Sequence, residues 1–544
     1  MATPELTFLF RKATVYDGTA VTPEVTDVGV ADDRIAFIGD AQGAGAHEVV
    51  EGEGLVLAPG FIDLHGHSDF LLLAAPHAES KVLQGVTTEV GGNCGDSPGP
   101  MVDTVRAQAE AELGEFGMAV GWNTLGEFLA LVERSGVALN FASLVGHNNV
   151  RAAAMGYEQR PARHDEVKAM QRLAAAAMRE GAFGVSSGLV YPPGMAADAA
   201  ELAEVCGPAA QAGGFYATHM RSEGARLLEA VSEALEVGRR SGCAVQISHH
   251  KVCGEANWGL VEHSLAMLDF ARAAGMDVTA DQYPYTATST SLYVVLPDWA
   301  QEGGPEPTAS RLRDAQVRRR AAAELAQQPR ESWERIRIAR VLTEENRWAE
   351  GLTLTEAARR LGMSEAEAAI ELVVRERGHV AMVRFAMCEA DVERVMRHPA
   401  VMVASDAAAR ATTGPLARGK PHPRAFGAFA RVLGHYVRER KVLSLGEAIR
   451  RMTRLPARRL GLEKRGIVRR GACADLVLFD PERIADRATY DDPLAPPVGI
   501  KGVWVNGRAV ARDGALTGAL PGRVLRGPGV RARVSSYMGP LPSE

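Results

Sequence analysis

Between about residues 59 and 465 the chain repeats one unit: a short apolar run followed by an amphipathic stretch of helical period. Strand-length apolar runs alternating with helices read as a parallel α/β fold, because parallel strands need a long crossover connection and a helix supplies it. Eight such runs end near His67, Cys94, His147, Ser187, His219, His249, Tyr283 and Asp406, with helical stretches such as Asp165–Glu180, Ala200–Ala212 and Arg226–Ser241 between them. Eight strand–helix units predict a (β/α)8 TIM-type barrel, whose chemistry sits at the C-terminal ends of the strands. The interval between the seventh and eighth strands is too long for one helix. It holds Gly303–Arg347 with a strand-like Arg335–Val341, so an inserted subdomain is expected at about 292–350.

The two ends have a different texture. Leu6–Leu9, Ala13–Tyr16, Thr26–Ala31 and Arg34–Ile38 read as short strands punctuated by Gly and Asp, as do Ala474–Phe479 and Ile500–Val505, the latter followed by the hairpin signal Asn506-Gly507. Residues 1–58 and 466–544 are therefore expected to pair into one small β domain around a barrel spanning 59–465.

Composition narrows the partners. Lys+Arg number 61 against 67 Asp+Glu, a net charge of −6, which gives no basis for nucleic acid or an anionic membrane as a partner. The Arg-rich stretches 311–320 and 451–470 carry apolar residues at regular spacing and read as solvated faces. Met1–Arg11 lacks the basic start and cleavage site of a signal peptide, and no uncharged run is long enough to span a bilayer. Six scattered cysteines do not form a disulfide framework. A cytoplasmic enzyme acting on a small molecule is the expectation, with the oligomeric state left open.

The strand ends carry the chemistry. In Phe61-Ile62-Asp63-Leu64-His65-Gly66-His67, alternation turns His65 and His67 to one face, which suits a metal pair. Cys94 sits between glycines in a loop-like Gly91–Pro98 and, as a thiolate, would be a strong zinc ligand. His219 ends the fifth strand. The sixth ends in Ser248-His249-His250-Lys251, where alternation leaves either histidine open as the inward one. Asp406 ends the apolar run Val401–Ala404, and an Asp there is costly to bury unless it is paired or metal-bound. His147 reads as a stabiliser of the third strand's loop. A barrel would bring these tips to one rim.

The segments APGFIDLHGH, GVTTEVGGNCG, GAFGVSSGL, YATHMRSE, QISHHK, DQYPY, SDA and HPRAFG resemble the N-acyl-D-amino-acid deacylases, the D-aminoacylase branch of the amidohydrolase superfamily. The resemblance runs from about Leu55 to Val505. It implies a β-sandwich built from both termini, a metal-dependent barrel and an insertion after strand seven. It also implies a tight Zn2+ site of Cys94, His219 and His249, the SHxK pattern selecting His249. A second, weaker metal would be held by His65, His67 and Asp406, and whether it is bound at rest is left open. Lys251, Tyr283, Ser289 and Arg424 match positions that hold the substrate carboxylate. Hydantoinases and dihydroorotases instead bridge their metals with a carboxylated lysine from strand four, and here that tip is Gly184–Gly188, with no lysine.

The implied activity is zinc-dependent hydrolysis of the amide bond of an N-acyl-D-amino acid. Zinc activates water for attack on the carbonyl, and Asp406 would accept the water proton and pass it to the departing nitrogen, a role worth ~10²–10⁴ in rate. Three features depart from the family: Ser405-Asp406-Ala407 replaces SDG, the loop Ala408–Gly414 is unusual, and Asp96 stands where an aromatic or aliphatic residue is common. They motivate a rival reading, an amidohydrolase for a larger, peptide-like or cyclic amide. A deaminase, or a binding protein without activity, are the readings from other classes.

Overall fold

The computed structural model describes residues 5–19, 22–43, 45–114, 116–328 and 330–530. The outer parts of the terminal segments, 1–4 and 531–544, lie outside these.

Eight parallel strands close a ring. Phe61–Asp63 pairs with Val86–Gly91, which pairs with Asn140–Ser143. The third strand breaks at Leu144 and resumes as Val145–Gly146, which pairs with Gly184–Gly188. Phe215–His219, Ala244–Ile247, Val278–Gln282 and Val401–Val403 follow in order. The ring closes where Gly66 bridges Ala407, with Asp406 N–H donating to the His65 carbonyl at 2.8 Å and His67 N–H to Ala407 O at 3.1 Å. The strands are buried throughout, apart from a half-buried His219 and Ala244, as expected when helices cover the outside.

The covering helices follow from their apolar stripes. In Leu227–Ser241, buried Leu227, Ala230, Val231, Ala234, Val237 and Gly238 recur at three- and four-residue steps, and the helix stops at Gly242 with φ +77°. His164–Glu180 and Ala199–Ala212 likewise occupy the stretches expected for them, the latter capped by the Asp198 carboxylate accepting from Glu201 N–H.

Strands from both ends form one nine-stranded sheet, with Val56–Pro59 lying between Leu6–Val15 and Leu476–Phe479. The hairpin Ile500–Val505/Arg508–Arg512 turns at Asn506 and Gly507, both with positive φ, as a two-residue turn of the primed type requires. Phe10 and Trp504 meet edge-on at 4.7 Å although two strands lie between theirs, so the sheet curls over a shared core that includes Val28, Ile35, Leu57 and Leu478. The sandwich expected from the termini is thus one continuous, folded-over sheet.

Between the seventh and eighth barrel strands the chain builds a separate antiparallel sheet, in the order Ala287–Ser291, Ala381–Phe385, Ile336–Arg340. Its middle strand comes from beyond residue 350, so this unit is wider than 292–350. Leu296, Trp333, Ile338, Leu354, Ile370 and Val373 contribute to its own core. The six cysteines are unpaired. Among the described residues no helix is long and apolar enough to cross a membrane.

Candidate metal centre and substrate cavity

The barrel rim gathers the expected donors. His65 Nε2 lies 3.3 Å from Cys94 Sγ, and Cys94 Sγ lies 3.5 Å from His249 Nε2. Asp406 Oδ1 is 3.5 Å from His65 Nε2 and 3.1 Å from His67 Nε2. His219 Nδ1 is 2.9 Å from His249 Nε2. One atom from each of His65, Cys94, His249 and Asp406 lies within 4.8 Å of all the others, and these four residues are buried. The six donors do not separate into two triads in this geometry: His65 joins the sulfur-containing group, and His249 Nε2 faces both Cys94 and His219.

Local backbone explains how the side chains reach one another. Cys94, His249 and Asp406 each follow a strand with positive φ, +54°, +36° and +50°, a region costing non-glycine residues about 1–3 kcal/mol. Three such turns at three strand tips aim the donors sideways across the mouth instead of along the strands. Gly95 lets the cysteine loop approach the fourth strand: a Cβ there would meet Gly188 N at 2.6 Å, and φ is +86°.

The donor set fits zinc. Four ligands around one zinc at about 2.0–2.3 Å stand roughly 3–4 Å from each other, and the three separations linking His65, Cys94, His249 and Asp406 are 3.3–3.5 Å. Sulfur, imidazole and carboxylate together match its borderline softness. Electrostatics favour the ligating forms. Burial would raise the Cys94 thiol, but the charges of His65 and His249 outweigh it and hold it well below the usual range. Burial likewise opposes ionisation of Asp406, and Arg424 with His249 overcomes it.

Two acids brace the imidazoles. Asp281, on the seventh strand, accepts from His249 N–H at 2.7 Å and Gln246 Nε2 at 2.8 Å, and its Oδ1 stands 3.2 Å from His65 Nδ1. Glu223 Oε1 lies 2.9 Å from His249 Nδ1 and accepts from Lys251 Nζ at 2.5 Å. Burial works against the Glu223 carboxylate, yet Lys251 and His249 hold it below its ordinary pKa. Neither acid was singled out from the sequence. Asp281 had a signal, sharing a strand face with Tyr283; Glu223, in the loop after His219, had none beyond its neighbourhood.

The centre opens into a cavity of about 990 Å³, lined among others by Lys251, Tyr283, Ser289 and Arg424. Arg424 and Lys251 flank the Tyr283 ring at 4.5 and 5.4 Å. The Tyr283 hydroxyl is buried with no hydrogen-bond partner. Arg424 donates to Asp406 Oδ2 at 2.7 Å and to the carbonyl of Ser289 at 3.3 Å. Lys251 donates to Glu223 and, at 2.8 Å, to the His249 carbonyl, and its Nζ also stands 2.8 Å from His249 Nδ1. His250 points the other way, its Nε2 2.8 Å from Ser264 Oγ on the helix behind. His147 pairs with Glu201 at 2.9 Å, away from the donors.

A (β/α)8 barrel with thiolate, imidazole and carboxylate donors on its rim, and a β domain made from both ends, defines a metal-dependent hydrolase. The chain belongs to the amidohydrolase family, whose profile matches residues 48–511. It is 37% identical over 525 residues to the D-aminoacylase of Alcaligenes xylosoxydans xylosoxydans, covering 95% of this chain and 97% of that one. With the N-acyl-D-glutamate deacylase of the same organism it shares 38% over 512 residues, covering 94% and 95%. The structure of N-acyl-D-glutamate deacylase from Bordetella bronchiseptica, complexed with zinc and a phosphonate mimic of the tetrahedral intermediate, superposes with a TM-score of 0.81 at 37% identity, covering 96% of this chain and 100% of that chain.

Proposed function

We propose that this chain is a zinc-dependent deacylase that hydrolyses the amide bond of N-acyl-D-amino acids, releasing a D-amino acid and a carboxylate. The observation that carries this reading is Arg424 touching Asp406 at the metal cluster while lining, with Tyr283 and Lys251, the cavity beside it. The D preference comes from the relatives' activities. Those relatives act on different D-amino acids at nearly equal identity, so the side chain is not fixed by likeness.

His65, Cys94, His249 and Asp406, with His219 and His67 beside them, would hold the metal. Zinc, when bound, supplies a Lewis acid that polarises the amide carbonyl and makes water nucleophilic near neutral pH. The chain's own residues do the rest. Asp406, ionised beside Arg424, accepts the proton of the attacking water and delivers it to the departing nitrogen. Free N–H groups of Arg424 and the unpartnered Tyr283 hydroxyl bind the substrate carboxylate, Ser289 lines the same wall, and Lys251 adds positive charge. Glu223 fixes His249 by facing Nδ1, which leaves Nε2 to the cluster.

The test is hydrolysis of N-acetyl-D- and N-acetyl-L-amino acids by zinc-loaded protein, detecting the freed amine. Turnover confined to the D series is expected. Turnover of neither series would overturn the reading.

A further inference from the structure

A second chamber of about 480 Å³ adjoins the first, and His67, Asp96, Thr290 and Ser291 line both. We infer that this chamber receives the acyl half of the substrate, and that the preferred acyl group is an extended, apolar one, longer than acetyl. The inference rests on the deacylase reading above and deepens it.

Position comes first. Lys251, Tyr283, Ser289 and Arg424 line the larger cavity and not the smaller one. With the amino acid's carboxylate among them, the acyl group lies on the other side of the scissile bond. The space reached from the cluster past His67 and Asp96 is the second chamber.

Chemistry comes next. Phe70, Leu71, Phe116, Val341, Leu342 and Leu416 line it. Its charged groups are already engaged within the protein: Asp69 accepts from Gly92 N–H at 2.8 Å, His379 stands 3.7 Å from Glu306, and Asp96, Arg340 and Arg410 have interactions of their own. The six apolar side chains offer an alkyl chain contact along its length. Size agrees. An acetyl methyl is comparable with one water, whose liquid volume is about 30 Å³, and would leave most of the chamber unfilled.

The wall is also built firmly. Val341 and Leu342 directly follow the inserted-sheet strand Ile336–Arg340, and buried Glu376 fixes the turn there, accepting from Leu342 N–H at 2.6 Å, Thr343 N–H at 2.8 Å and Thr343 Oγ1 at 2.5 Å. The inserted segment and the unusual loop after Asp406 thus face the same space, the latter through Ala408 and Arg410.

The experiment measures kcat/KM of the zinc enzyme for formyl, acetyl, butanoyl, hexanoyl and phenylacetyl derivatives of D-leucine, D-methionine and D-glutamate. It is repeated with Leu342→Trp and, independently, Leu416→Phe. Each methylene buried from acetyl to hexanoyl is expected to raise kcat/KM about fourfold, and either variant to lower the hexanoyl-to-acetyl ratio at least tenfold. A flat or falling series with acetyl substrates turned over overturns the acyl chamber and leaves the deacylase reading standing. So does a ratio unmoved in both variants. No turnover of any derivative overturns both.

Discussion

Arg424 Nη1 donates to Asp406 Oδ2 at 2.7 Å, both groups buried at the mouth of the barrel. One guanidinium therefore serves the acid at the cluster and borders the cavity proposed for the substrate carboxylate. Lysine in its place keeps the charge and loses the fork. Removing the cation altogether, as in Arg424→Met, breaks the buried charge pair, which costs about 2–5 kcal/mol, at least about thirtyfold in kcat/KM. We expect Arg424→Lys to raise KM at unchanged zinc content. A fall in kcat alone, with KM constant, would confine Arg424 to holding Asp406.

Asp406→Asn keeps an oxygen donor and loses the base. Turnover should fall ~10²–10⁴-fold, while the purified protein still carries zinc by atomic emission. Wild-type-like kcat would take proton transfer away from Asp406.

Glu223→Gln keeps the shape beside His249 and removes the charge that faces both its Nδ1 and Lys251. Partners of this kind typically contribute about 10–100-fold to metal affinity or activity. Competition with a chromophoric chelator reads the affinity and steady-state kinetics the activity. No change in either would leave Glu223 only a partner of Lys251.

Beneath the rim, fully buried Lys81 bonds to Asp63 Oδ2 at 2.7 Å, Ser405 Oγ at 2.8 Å and the Ala407 carbonyl at 2.7 Å, with Glu89 3.2 Å away. It joins the first strand to the two residues flanking Asp406. Lys81→Met strands two buried carboxylates without their cation, which should cost about 3–5 kcal/mol in urea unfolding. A loss below about 1 kcal/mol would show that the carboxyls take up protons instead.

Much of the site is written in the chain's periodicity. Apolar runs end at the barrel rim, and the structure gathers there His65, Cys94, His219 and Asp406, residues that the strand pattern alone puts near strand ends. What periodicity hides is sideways reach. His249 and His250 were equivalent by alternation; they part only because a left-handed turn at His249 swings it to the cluster while Ser264 holds His250 outside. Glu223 gains meaning only when folding brings Lys251 and His249 to it. The second chamber has no local signal at all, since Phe70, Leu342 and Leu416 come from three distant parts of the chain. The inserted unit reaches beyond 292–350 because its middle strand, Ala381–Phe385, follows the other two in sequence.

Strand Val56–Pro59 runs straight into the first barrel strand, yet one of its two neighbours in the sheet is Leu476–Phe479. On a ribosome making this protein, that edge has to wait until the entire barrel has been synthesised. Nascent chains stopped anywhere before residue 476 would carry an unpaired, apolar strand edge, the kind that recruits other chains. Complete synthesis, and the folding help available while it proceeds, thus bear on the yield of active enzyme as directly as any residue at the rim.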